Sequence, residues 1–167
     1  MVGISTLKAV EPELSGAGVN IAVVCRSFTY TDGIPQNDYQ PDILHNCLTT
    51  ADLHFYHEPD LPAGISPHAT ALCSILFGLD PFASHTDLGQ FQYQGAVPNA
   101  TGSIYELWHF CSNNIHPQQA PQADVVTASL GIQFEEWWTR GLDAMAQQNG
   151  LLVVAGIGNG RNAYDPP

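Results

Sequence analysis

Basic residues are scarce in this chain: four Lys and Arg stand against sixteen Asp and Glu, giving a formal net charge of −12. A surface of that sign repels phosphate backbones and anionic headgroups, so neither nucleic acid nor a membrane is an expected partner. Long apolar runs are also missing. None approaches the roughly 20 residues of a membrane span, and Met1 to Glu13 has neither an apolar core segment nor a small-residue cleavage site. The chain as written reads as soluble and unaddressed, and as cytoplasmic if Met1 is its natural start. Cysteine is sparse too. Cys25, Cys47, Cys73 and Cys111 are widely spaced without a Cys-x-x-Cys pair, which signals neither a zinc knuckle nor a redox pair. Ordinary buried thiols fit this density better than a disulfide framework.

Against these absences, 167 residues that are 44% apolar suffice for one domain with a sizeable core, and no repeat or composition shift marks a second. Asn20 to Val24 is a short apolar run of the kind that forms a strand buried on both faces of a parallel sheet. Asp52 to His57 alternates weakly, as a second strand would. Ser66 before Pro67 pairs an N-cap residue with a proline at the first helical position. Leu72, Ile75 and Leu76 follow at helical spacing up to Gly78, which puts His68 in the first turn of a helix. The stretch from Gly78 to Ala100 reads as loop-rich, Ser103 to Trp108 as a strand, and Gln118 to Gln122 as an exposed linker. A β-rich run from Ala123 to Ser129 precedes an amphipathic helix whose Phe134, Trp137, Trp138, Leu142 and Met145 share one face. Glu135 and Glu136 suit its start and Gly150 its end. Leu151 to Ala155 is again a fully apolar strand, leading into the glycine-rich Gly156 to Gly160. Strands alternating with helices indicate an α/β fold with a mostly parallel sheet.

Several segments, in this order, resemble the subtilases, the subtilisin-like serine peptidases. His68-Ala-Thr-Ala-Leu-Cys-Ser-Ile-Leu-Phe-Gly78 is similar to the helix that begins with that family's catalytic histidine, with Ala69 for the usual glycine and Ala71 for a second histidine. Thr127-Ala-Ser-Leu-Gly131 resembles the Ser-Leu-Gly substrate-binding edge. Val153-Val-Ala-Gly-Ile-Gly-Asn159 resembles the strand and loop that present the oxyanion asparagine. Gln94 to Ala100 is similar to a Gly-Val-Ala-Pro-x-Ala segment with two residues exchanged. Together they cover most of residues 18 to 161. The resemblance implies a three-layer sandwich around a mostly parallel sheet, with residues 1–167 as the N-terminal portion of one peptidase domain that is incomplete in this chain.

The resemblance gives these residues roles. A serine peptidase needs a neutral imidazole to take the nucleophile's proton, and the partial positive charge of a helix N-terminus favours the neutral form, so His68 is the expected base. Asn159 is the expected oxyanion donor; such a donor is worth roughly 2.7–4 kcal/mol in kcat. Ser129, Leu130 and Gly131 would pair through their backbone with an extended substrate. Without the resemblance, His68 is a polar helix-start residue, Asn159 a turn residue between glycines, and Gly131 the end of a strand.

Two departures shape the functional reading. Where the family has an aspartate that holds the histidine's tautomer, this chain has Cys25, and Asp32 is a substitute that falls several residues too far along. In subtilisin, loss of that aspartate costs about 3 × 10⁴ in kcat. The family geometry puts this position on the far side of the imidazole from the substrate carbonyl, so Cys25 reads as a packed thiol and not as a nucleophile. The family's serine follows the oxyanion asparagine, and no serine follows Asn159 here. The expectation is a serine endopeptidase only when a C-terminal half or second chain supplies the nucleophile, with a peptide or protein as substrate. The alternative is a catalytically inactive module that binds peptides or proteins, and the third reading is an unrelated α/β binding domain. No cofactor is expected. His54 and His57, three apart on a strand, point to opposite faces, and calcium rests on family analogy alone.

Overall fold

The computed structural model describes residues 4–130 and 136–156. In chain order the elements are α1 (Ile4–Val10), β1 (Asn20–Cys25), β2 (Phe28–Thr31), β3 (Ile34–Asn37), β4 (Asp52–Tyr56), α2 (Pro67–Phe77), β5 (Leu79–His85), β6 (Gly89–Gln94), β7 (Thr101–Glu106), α3 (Leu107–Phe110), β8 (Val125–Ala128), α4 (Glu136–Asn149) and β9 (Leu152–Ala155). Five of the strands form one sheet in the order β4-β7-β1-β8-β9, and every neighbouring pair in it is parallel. The apolar run at β1 takes the centre, where every residue after Asn20 is buried. A strand hydrogen-bonded on both sides and covered on both faces has no solvent-facing position to give to a polar side chain.

The two faces of β1 separate the core into two clusters. Ile21, Val23 and Cys25 point to one side, where they pack with Ala69, Cys73 and Phe77 of α2. Ala22 and Val24 point to the other, into a cluster with Phe110 of α3 and Trp138, Leu142 and Met145 of α4. The sheet is thus sandwiched between α2 on one face and α3 with α4 on the other. Gly102 of β7 lets α2 approach closely: a Cβ there would come within 2.9 Å of the Phe77 ring and 2.7 Å of Leu53 Cδ2. Among the residues read as the amphipathic face, Trp138, Leu142 and Met145 are buried, while Trp137 is partly exposed and Phe134 lies outside the described residues.

Three local features differ from the sequence-based expectation. The stretch after Gly78 contains an antiparallel hairpin, β5–β6, whose register shifts between Asp80 and Ala83. Pro81 sits within that shift, a place in a strand that tolerates a missing N–H. A second hairpin, β2–β3, turns at Asp32 and Gly33, both with positive φ (52° and 77°), the backbone that an Asp-Gly pair adopts in a tight hairpin turn. The strand expected to reach Trp108 ends at Glu106. There the Glu106 carboxylate accepts from the backbone N–H groups of Trp108 (2.8 Å) and His109 (2.9 Å) and starts α3 instead.

Candidate active site at the carboxyl edge of the sheet

All five strands of the sheet end on the same side, and the covering helices change face at β1. In an open parallel sheet, that change of face leaves a crevice beyond the strand ends, the usual place for a ligand in α/β folds. Cys25 is the last residue of β1 and lies in register beside Glu106, the last of β7. Its side chain is wholly buried and its thiol is held well above the ordinary range, first by burial and then by the nearby Cys73 and Asp38. A thiol so placed stays protonated at neutral pH and is a poor nucleophile.

The start of α2 is tied to the end of β1 by a short polar chain. Ser66 caps the helix by accepting from Ala69 N–H at 3.0 Å, and its own hydroxyl donates to Asp38 Oδ1 at 2.8 Å. Asp38 is itself buried. Its backbone N–H donates to Ser27 O (3.2 Å), and Arg26 Nη2 sits 3.0 Å from Oδ2 as an ion pair without hydrogen-bond alignment. His68, two residues into this chain's far end, is half-buried. Its Nδ1 is enclosed and has no hydrogen-bond partner among the described residues. An enclosed imidazole nitrogen without a partner is the nitrogen that an orienting acid would serve, and Cys25 cannot supply that acid.

Glu106 is also fully buried, and its carboxylate is fully occupied: Ser27 Oγ donates to Oε1 alongside the two backbone donors at the start of α3. It therefore acts as a structural cap. Ser129, just beyond β8, is exposed, whereas Leu130 is buried in the cluster under α4. The ends of β8 and β9 are held together by Gly156 N–H donating to Ala128 O at 2.8 Å. Gly131 and Asn159 lie outside the described residues. Asp32, considered above as a substitute acid, stands exposed at the tip of the β2–β3 turn.

No protein-family model and no curated protein matches this chain. The structure brings the His68 helix start, Cys25 and the polar chain through Asp38 to one edge of the sheet, with exposed Ser129 at the end of the next strand. Asp38 and Glu106 were not legible from local pattern. Asp38 had one cue, the Asn37-Asp38 pair: Asn37 Oδ1 accepts from the N–H groups of Tyr39 (3.0 Å) and Gln40 (2.8 Å), a turn that fixes the acid's direction. Glu106 is not a preferred capping type and gave no cue. Among the described residues, no three His, Cys, Asp or Glu side chains converge as a metal site; His54 pairs with Asp52 at 3.2 Å and His57 Nδ1 contacts Glu58 O at 2.8 Å.

Proposed function

We propose that this chain is the histidine-bearing portion of a subtilisin-like serine peptidase domain, acting on peptides or proteins once a second polypeptide, a C-terminal half or separate chain, provides the nucleophilic serine. The observation that carries the reading is His68 in the first turn of α2, at the carboxyl edge of a parallel sheet, with Cys25 at the end of the central strand where the family has its acid. In this reading His68 is the base, Ser129 to Gly131 form the edge along which substrate pairs, and Asn159 donates to the oxyanion. The need for a partner is supported by edge strand β9, where Leu152 is 60% and Val154 52% exposed. Among the described residues no further strand pairs with β9, and exposed apolar side chains on such an edge strand are the kind of surface that another chain covers.

The test is mass analysis of the natively purified protein, first intact and then denatured, after treatment with a fluorophosphonate that labels activated serines. The expected result is a co-purifying polypeptide that takes the label, with labelling lost in His68→Ala by a factor of about 10² or more. A single unlabelled species that folds cooperatively alone would sink the proposal.

A second reading, an inactive module that holds peptides along the same edge, is favoured by one observation: Cys25 is neutral and buried, and both neighbouring carboxylates are already engaged. A partner that co-purifies but never takes the label supports this reading over the first.

A further inference from the structure

Between Ser74 of α2 and the β5–β6 hairpin, a cavity of about 350 Å³ is lined by His45, Cys47, Ser74, Asp80, Phe82 and Tyr93 among others. Cys47 Sγ lies 3.1 Å from His45 Nδ1 and 3.1 Å from Ser74 Oγ. The Ser74 hydroxyl donates to Thr70 O at 2.7 Å, so it faces the sulfur as an acceptor. His45 caps the short 3-10 turn Asn46–Leu48, with the Cys47 backbone N–H aimed at Nδ1 from 3.5 Å. Nδ1 therefore carries a lone pair and Nε2 the proton, the tautomer able to take a proton from the thiol.

We propose that Cys47 and His45 form a thiol–imidazole pair whose ligands are small hydroperoxides, and that Cys47 is the oxidisable cysteine of this protein. The Sγ–H, which at rest donates to Ser74 Oγ, turns to His45 Nδ1 at the same distance and passes its proton there, and the thiolate attacks the terminal O–H oxygen of the peroxide. An S–O bond forms as the O–O bond breaks, and the departing hydroxide (from hydrogen peroxide) or alkoxide (from an organic hydroperoxide) takes the proton from the imidazolium to leave as water or an alcohol. The sulfur is oxidised from thiol to sulfenic acid and the peroxide is reduced. The pairing of a nucleophile with a base inside a concave pocket distinguishes this cysteine from the other three. Cys47 is itself buried, in the same cluster as Cys25 and Cys73, but of the four it is the cysteine that borders this cavity; burial raises the other three thiols, those of Cys73 and Cys111 to about 12. The other ionisable groups lining the cavity are Asp80, whose Oδ1 accepts from Phe82 N–H (2.9 Å), and Tyr93, whose hydroxyl donates to Ser74 O (3.1 Å). Oxidation would displace the sulfur's contact with Ser74 on α2, the helix that carries His68. The inference does not depend on the peptidase reading.

The experiment treats the folded chain with hydrogen peroxide, traps sulfenic acid with dimedone, and maps the adducts by mass spectrometry as a function of time. Cys47 is expected to react at least about tenfold faster than the other cysteines. His45→Asn keeps an acceptor for the turn but cannot take the proton, and it should slow Cys47 about tenfold. Ser74→Ala keeps the imidazole and should keep the fast rate. Circular dichroism checks that each variant is folded. Prior reaction at another cysteine, an unchanged rate in His45→Asn, or equal slowing in Ser74→Ala would each overturn the proposal.

Discussion

Cys25 occupies a position where ionisation is costly, which makes the stability of the chain depend on pH. Its thiol and that of Cys73 are raised by burial in the folded chain, Cys73 to about 12, whereas an unfolded chain ionises thiols near 8.5. The folded state therefore holds more protons above that pH. Stability is fully present below about pH 8.5 and declines as pH rises toward the folded values, by up to about 1.4 kcal/mol per pH unit for each thiol. Urea denaturation under reducing conditions should show a midpoint that falls markedly between pH 8 and 10; a flat profile would contradict the buried placement of both thiols. His68 and Cys25 could be singled out from the sequence because a cap signal and an apolar run locate them. Asp38 and Glu106 could not. Their partners Ser66 and Ser27 lie 28 and 79 residues away, distances over which local pattern carries no information.

At the level of elements, the start of α2 is the most exposed to single changes. Ser66 both caps the helix and donates to buried Asp38. Ser66→Ala removes the cap and leaves a carboxylate oxygen without its hydroxyl donor, which together should cost about 2 kcal/mol in chemical denaturation. The conservative Ser66→Thr should recover most of that loss. Strands β1, β7, β8 and β9 and helices α2 and α4 were legible because burial imposes runs and periodicities on the residues that form them. The hairpins were not, since their strands are mostly exposed and no core selects their side chains. The Asp32-Gly33 pair was the one available cue. The end of β7 was misplaced by two residues because Leu107 and Trp108 are as apolar as a strand's residues, while the group that starts α3 is a side chain that binds backbone N–H groups beyond it.

On the scale of the whole molecule, the five-stranded parallel sheet and its helical cover on both faces are what the alternation of patterns implied, whereas the sheet's outer edge had no signature in the sequence. That edge offers a direct check of the partner proposal. Val154→Lys puts a charge on β9 at a position already half open to solvent, so the chain's own stability should change by less than about 0.5 kcal/mol. Native mass analysis should nevertheless show loss of the co-purifying polypeptide; retention of the complex would place its contact elsewhere. The strand order has a further consequence, for synthesis on the ribosome. β1 and β4 do not pair with each other: each pairs with β7, and β1 pairs also with β8. After residue 56 has emerged, two strands of the five-stranded sheet are present that do not hydrogen-bond to each other in the native register, and their common neighbour begins only at Thr101. The apolar Asn20–Cys25 segment must therefore wait, unpaired on both sides, while some 75 further residues are added, which at about 5–20 residues per second takes several seconds. During that interval it is a candidate for chaperone binding or for pairing with the same segment of another nascent chain, hazards that subside once Glu106 is out and the first native ladder can close.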